Sequence, residues 1–540
     1  MSAQSYLVPL STVLKEGSQT RSKENMRNYV MAAAEVMYSA LKPCLGPNGR
    51  MKILMDTFGD VTISGDGAGI LGEVDVEHPV AKVIVESAKA MDKEVGDGVV
   101  SMVVLSTKLL LNSRSLLEKG IHPILIVDAF ASSLDIAKAK LSELSKRIDP
   151  SDRTTLLNVV KTSMSGYINE EFRSLMVNYV VDAALKTVQV VDGRTILDLD
   201  RIKIEKKSGG AFSDTLVLDG VVLDKEVVHP AMPKLLNNVK AALLDFSLEV
   251  QKTEFDEKLK FKDPRLLQDF INSERSILDG YVQKIKNSGA KVVFCQKGID
   301  DFVQYLLAKE GITAIRRIKK SDMEKLALST GGKVLSSLDE LNEDALGSVR
   351  SVEERKVGGE KWVFVEGAEG GKVVSILLRG PDEKSLEEAE KVLKDGLSAA
   401  KAVLEEPYVV PGAGAIELEI ATAIRKKVSE SSGQELLAYQ AFADAFEDIP
   451  RALAHNAGLD PEDTLAKLVA KHSSGLKTYG VGDYTKPIVD SEKKGIIEPI
   501  RIKRSIYSAA VETAVAMLRI DEVIAAAKMK PPKMPEGAEY

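Results

Sequence analysis

Apolar residues recur at the three- and four-residue spacing of a helix along Asn28–Leu41, Pro79–Lys93 and Val99–Gly120, so residues 24–145 are predicted to be mostly helical. Two short β-rich pieces interrupt them, Met51–Met55 ahead of Asp56 and Val61–Ser64. Between 216 and 369 the pattern changes. Lys291–Cys295 reads as a buried strand, Asp300–Glu310 as a helix, Thr313–Ile318 as a strand, and Ser321–Thr330 as a helix with Asp-Met-Glu in its first turn. That alternation predicts a βαβ layer with a parallel sheet. Helical periodicity returns at Leu386–Ala400 and continues through Ala415–Glu430, Glu435–Asn456 and Ser505–Ala527. The tail from Lys528, with Pro531, Pro532 and Pro535, is expected to be disordered. No short solenoid repeat is visible. The order helical, mixed, helical fits a middle domain inserted into a helical one.

Composition narrows the class. At 540 residues the chain exceeds the roughly 250–300 residues one core supports, so several domains are expected. Hydrophobic residues at 44% and charged residues at 28% describe a globular chain that buries a core. A net charge of −7 gives no electrostatic reason to expect nucleic-acid binding, and 5% aromatics leave few stacking platforms for single strands. Cys44 and Cys295 lie far apart without metal-ligand spacing, which favours a reducing cytoplasm over a disulfide framework. Met1–Glu16 lacks the pattern of a signal peptide, and no uninterrupted apolar stretch reaches bilayer length, so no membrane span is expected. The histidines, His78, His122, His229, His455 and His472, are dispersed and suggest no metal site.

Two glycine-flanked aspartates are the candidate chemistry, Gly65-Asp66-Gly67 and Gly96-Asp97-Gly98, each where a turn hands over to an apolar helical stretch. A helix N-terminus offers free N–H groups and partial positive charge to phosphate. An aspartate there repels phosphate unless a divalent cation bridges them, so the pair hints at a nucleotide–Mg²⁺ site. Taken singly, an Asp-Gly turn is most often only a turn. No Gly-x-x-x-x-Gly-Lys-Ser/Thr loop is present, and no Gly-x-Gly-x-x-Gly is expected to follow a strand and open a helix.

The run Leu45-Gly46-Pro47-Asn48-Gly49, followed by the two Asp-Gly turns, resembles the nucleotide pocket of chaperonins. Further matches follow in order: Gly209-Gly210, Asp219–Lys225, Val293–Asp300, Val409–Glu417, Glu498-Pro499 and Leu518–Asp521. Together they resemble group II chaperonins of the archaeal thermosome type, and the pocket resembles that of the divergent third-type subunits of that group. The resemblance implies a multidomain α and α/β chaperonin fold. Its mainly helical equatorial domain would be 1–146 plus 405–540, its intermediate domain 147–215 plus 370–404, and its α/β apical domain 216–369. A helical protrusion, or lid, would lie within Leu248–Lys286, where Phe255, Leu259 and Phe261 precede a helix start at Asp263-Pro264. An ordinary surface hairpin is the plainer reading of that charge-rich stretch.

By the same resemblance, ATP or ADP would meet Leu45, Gly46, Pro47, Gly67, Gly98, Val99, Val100, Ser101, Gly412, Gly414 and Glu498, the last at the ribose. Asp97 would hold Mg²⁺, and Asp66 and Asp395 would orient the attacking water. For Asp395 alone, a solvated helix acid is the plainer reading, and for Glu498 a loop acid before proline. Partners would be paralogous subunits in a double ring and unfolded client proteins. The chain departs from the family at the pocket itself. Gly-Asp-Gly-Thr-Thr is Gly96-Asp97-Gly98-Val99-Val100, and Asn-Asp-Gly-Ala-Thr is Gly65-Asp66-Gly67-Ala68-Gly69. A loop lysine is Asn48, a phosphate-sensing lysine aligns with Tyr167, and Gly-Gly-Gly-Ala is Gly412-Ala413-Gly414-Ala415. Lost hydroxyls and charge predict weakened ATP hydrolysis. Two readings stand: an ATP-hydrolysing folding subunit, or a structural and regulatory ring member with weak turnover.

Overall fold

The computed structural model describes residues 19–21, 23–55, 59, 61–73, 76, 78–164, 170–250, 264–368, 371–430, 432–521 and 523–525. They form two compact units. One comprises the described residues up to Asp149 and from Glu406 onward; the other comprises Pro150–Met164 and the described residues from Glu170 to Glu405. Phe255, Leu259 and Phe261 of the expected lid, Tyr167, and the tail from Lys528 lie outside the described residues.

The first unit is helical. Its centre is the helix Val99–Glu118, which packs against Lys23–Leu41, Glu435–Asn456 and Ile500–Leu518. By length and composition this helix is apolar enough to cross a membrane, although polar residues interrupt its apolar run as the sequence reading has it. Its apolar side chains are spent on the core instead: Met102, Val103, Val104, Leu105, Leu109 and Leu110 are fully or almost fully buried. Phe130, Phe442, Phe446 and Tyr507 continue that core as a run of ring contacts 4.9–5.4 Å between centroids. Short strand pairs edge the unit. Lys52–Met55 and Val61–Ser64 form an antiparallel hairpin, and Tyr408–Pro411 pairs with both Ile497–Pro499 and Lys146–Arg147.

At the chain's end the expected helix Ser505–Ala527 is corrected. The helix runs Ile500–Leu518, and Val523–Ala525 is a strand paired antiparallel with Gln19–Arg21. An apolar Val-Ile-Ala run suits either state, and a distant partner decided it.

The second unit holds two sheets. The seven-stranded sheet runs Thr313–Ile315, Val292–Cys295, Leu235–Leu244, Gly347–Val357, Glu360–Gly367, Gly220–Leu223, with Val334–Leu335 also on Leu235–Leu244. Only the strands around Val292–Cys295 are parallel; Leu235–Leu244, Gly347–Val357, Glu360–Gly367 and Gly220–Leu223 pair antiparallel. The expectation of a parallel sheet is therefore half right. The signal for the other half was Gly358-Gly359, whose φ values of 59° and 87° supply the left-handed turn of a tight hairpin. A three-stranded sheet, Ile202–Ser208, Val374–Gly380 and Leu216–Leu218, packs against the helices Glu170–Thr187 and Glu383–Glu405, on which Arg153–Ser163 packs in turn.

Candidate functional site

The two Asp-Gly turns come together in the first unit. The strand Val61–Ser64 runs into Asp66, whose carboxylate caps the following helix, Gly67–Glu73. Asp66 Oδ1 accepts from the Ala68 N–H at 3.2 Å and Oδ2 from the Gly69 N–H at 2.7 Å. The helix Pro79–Val95 closes on Gly96, φ 66°, Asp97 follows, and Gly98, φ 93°, opens the central helix. A methyl on Gly98 would run into Ile506 Cδ1, so both conformation and close packing require glycine there. A methyl on Gly67 would lie 2.8 Å from Val100 Cγ2 and 3.0 Å from Val99 Cγ1. Two helix N-termini thus meet. The first intrahelical bond of the central helix is Met102 N–H to Gly98 O at 3.0 Å, leaving the Val99, Val100 and Ser101 N–H groups without helical acceptors. Burial, and then the nearby Asp66 charge, push the Asp92 carboxyl above its ordinary value.

A third loop joins through the apolar side. Leu45 is buried with Val104, Ile449 and Ala452, and Val100 and Leu453 pack on that cluster. Asn456 holds the loop by donating to Lys42 O at 3.0 Å and Leu45 O at 2.9 Å. Gly46, φ 80°, lies so close to Leu453 that a side chain would collide with it, and Pro47 and Asn48 are exposed.

The fourth piece is Gly412-Ala413-Gly414, between the strand Tyr408–Pro411 and the helix Ala415–Glu430. Gly414, φ 81°, sits against Pro450, a proline inside the helix Glu435–Asn456. Ala413 adopts φ 58°, the left-handed region that an alanine enters at a cost of about 1–2 kcal/mol. Its carbonyl accepts from the Val481 N–H at 2.8 Å, which pins the loop from behind. Val410 is in register with Glu498 on the neighbouring strand, and a methyl on Gly412 would stand 2.7 Å from Glu498 Oε1.

Glu498 ends a buried charged chain. Lys503 Nζ lies 2.6 Å from Glu498 Oε2 and donates to Glu417 Oε1 at 2.7 Å; the Tyr507 hydroxyl donates to the same Glu417 oxygen at 2.7 Å. Side-chain exposure is 2% for Glu417 and 6% for Lys503 but 24% for Glu498, so the chain surfaces at one carboxylate. Burial alone would lower the Lys503 ammonium, but Glu417 and Glu498 beside it hold it above the ordinary lysine value. Burial pushes the Glu498 carboxyl up against the pull of Lys503, with the Glu417 charge adding to the rise. Burial and Glu417 likewise raise the Tyr507 phenol.

These contacts make a closed circuit: Gly67 to Val99 and Val100, Val100 to the Leu45 cluster and Leu453, Pro450 on the same helix to Gly414, Gly412 to Glu498, and Ile506 back to Gly98. Every sequence-derived site residue except Asp395 belongs to this unit. Asp395 lies in the other unit, on the helix Glu383–Glu405, beside Gly396, where a methyl would meet Met164 Sδ at 2.6 Å.

One expectation fails. Gly67-Ala68-Gly69-Ile70-Leu71-Gly72 does follow a strand and open a helix. That strand belongs to an antiparallel hairpin, not a βαβ unit, so the string lacks the context of a dinucleotide fingerprint. Lys503 and Tyr507 were missed; their signal was a polar pair one turn apart on an otherwise apolar helix face.

The circuit fits a nucleotide with magnesium. Three N–H groups at a helix N-terminus suit phosphate, Asp97 adjoins them, and the Glu498 carboxylate is of the kind that can accept from hydroxyls. Among the described residues no cluster of three or more His, Cys, Asp or Glu stands ready as a metal cage. Magnesium shared between one carboxylate, phosphate oxygens and water needs no such cage.

A helical unit assembled from both ends of the chain, with an α/β unit drawn from between them, is the architecture of a chaperonin subunit. The chain belongs to the TCP-1/cpn60 chaperonin family, whose model matches residues 37–528. It is 44% identical over 517 residues to a thermosome subunit of Methanopyrus kandleri, covering 96% of this chain and 95% of that protein. It is also 44% identical to the alpha subunit of the Thermoplasma acidophilum thermosome, over 96% of this chain and 95% of that one. The beta subunit of the Archaeoglobus fulgidus thermosome matches at 44% over 98% of both.

Proposed function

We propose that this chain is a subunit of a cytoplasmic double-ring chaperonin that encloses unfolded proteins in an ATP-dependent cycle, and that its own ATP hydrolysis is weak. In this reading residues 1–146 with 405–540 form the equatorial domain, 147–215 with 370–404 the intermediate domain, and 216–369 the apical domain, which receives client protein under a protrusion within 248–286. Paralogous subunits, as the alpha and beta names of two relatives suggest, complete the ring.

One observation supports weak turnover above the others. The first N–H groups of the central helix, which have no intrahelical acceptor, are flanked by the side chains of Val99 and Val100, which offer no hydroxyl to a phosphate. ATP would be held by the main chain at Val99–Ser101, by the turns at Gly46, Gly67 and Gly98, and by Glu498 at the sugar. Asp97 would hold Mg²⁺, which supplies charge neutralisation at the phosphates. Asp66 and Asp395 would orient water. Two missing hydrogen bonds to a charged group amount to roughly 3–6 kcal/mol. The surviving carboxylates favour the second reading, a fully active hydrolase.

ATP turnover of the purified subunit, alone and mixed with partner subunits, separates the two. Near-zero turnover that rises at least about tenfold in Val99→Thr/Val100→Thr/Tyr167→Lys supports a structural or regulatory ring member. Ordinary turnover in the unmodified chain refutes it.

A further inference from the structure

Glu498 is the partly exposed end of a network whose other members are shut away from water. Lys503 is 5% exposed, Glu417 1% and Tyr507 1%. Such a cluster is a poor investment in stability. Two carboxylates share one ammonium, and Glu417 Oε2 is buried without a hydrogen-bond partner among the described residues. Apolar side chains of similar volume would pack the same space without that desolvation cost. What the network does achieve is geometric. Lys503 and Tyr507 sit one turn apart on a single helix and both anchor on Glu417, the third residue of the helix that follows the Gly412–Gly414 loop.

Lys503 then reaches Glu498 Oε2 at 2.6 Å, while the Ala413 N–H supports the same carboxylate from the loop side. Oε2 is held by the ammonium, and Oε1 lies on the Gly412 side, the position where a side chain would obstruct it. An oxygen so placed accepts O–H donors and repels phosphate.

We infer that Lys503, held by Glu417 and Tyr507, is a positioning residue that aims the Glu498 carboxylate at the hydroxyls of the bound nucleotide's sugar, and so sets the preference for ribose. This rests on the proposed nucleotide site and names what governs its sugar end. Lys503 touches no ligand itself; its effect passes through Glu498.

The test is calorimetric binding of ATP and of 2′,3′-dideoxy-ATP, each with Mg²⁺, to the full-length subunit and its variants. The unmodified protein should prefer ATP by about ten- to hundredfold, the range for hydrogen bonds to a charged acceptor. Lys503→Met should lose most of that preference by weakening ATP while leaving the dideoxy analogue within about twofold, an outcome that general loosening of the pocket does not produce. If Lys503→Met fails to fold, Lys503→Met/Glu417→Gln removes the stranded charge and is expected to show the same collapse, whereas a retained preference in either variant overturns the inference. Equal affinity for both nucleotides in the unmodified protein refutes the sugar contact at Glu498, and no binding of either refutes the nucleotide site itself.

Discussion

Replacing Lys503 by methionine preserves the bulk of the stem and removes the only ammonium the network contains. Glu417 then keeps the Tyr507 hydroxyl, at 2.7 Å, as its one hydrogen-bond partner, with 2% of its side chain exposed. Breaking a buried ion pair by deleting one partner costs about 3–5 kcal/mol. Glu498 adds little to that sum, since 24% of its side chain still meets water. Urea unfolding followed by far-UV circular dichroism should show the loss as a lower midpoint. Adding Glu417→Gln should restore about half or more, because glutamine accepts from Tyr507 without a charge.

The pH dependence gives a second handle with a definite sign. In the unmodified protein the Lys503 ammonium is raised above its ordinary 10.5. Its stabilisation is therefore complete below that value and fades as pH climbs through the folded one. The Tyr507 phenol, raised above 10.0, works the same way, since the unfolded chain releases that proton first. Stability should thus fall in alkali from about pH 10. A variant within about 1 kcal/mol of the original, or an unmodified protein whose stability does not fall in alkali, would refute the reasoning.

Other substitutions test the loops. Gly98→Ala must place a methyl at φ 93° against Ile506, and should cost about 2–4 kcal/mol with weakened nucleotide binding, read by thermal denaturation with and without ADP. Ala413→Gly relieves a φ of 58° at some cost in unfolded-state entropy, so a change between about zero and 1.5 kcal/mol in the stabilising direction is expected. A clear loss of melting temperature would show that the methyl packs better than it strains.

Much of the helical unit was legible because its cues are local. The helices Ala415–Glu430 and Glu435–Asn456 begin and end where periodicity places them, even though Pro450 lies inside the second. Val61–Ser64 was equally plain, a short β-branched run closed by Gly65-Asp66. Val99–Glu118 offers no uninterrupted apolar stretch because its serines, threonine, asparagine and lysine break the run. Several of those residues, Ser106, Thr107 and Ser113, lie fully buried and return their hydroxyls to carbonyls three or four residues back.

The candidate site was legible as strings and not as a place. Gly46, Gly67, Gly98, Gly412 and Glu498 are separated by 21, 31, 314 and 86 residues in turn, and nothing local says that Gly412 backs Glu498 or that Gly67 abuts Val100. The lysine that anchors Glu498 follows it by only five positions, yet on paper it is an ordinary basic residue near a helix start.

By itself the sequence determined where most of the helices run, which turns require glycine, and which family the chain joins, since spacing and residue type act over a turn or two of backbone. Tertiary structure alone decided the strand at Val523–Ala525, the antiparallel half of the large sheet, and the burial of Glu417, Lys503 and Tyr507 around one partly exposed carboxylate. Strand partners and charge desolvation depend on what the rest of the chain brings alongside, and no window of sequence contains that information.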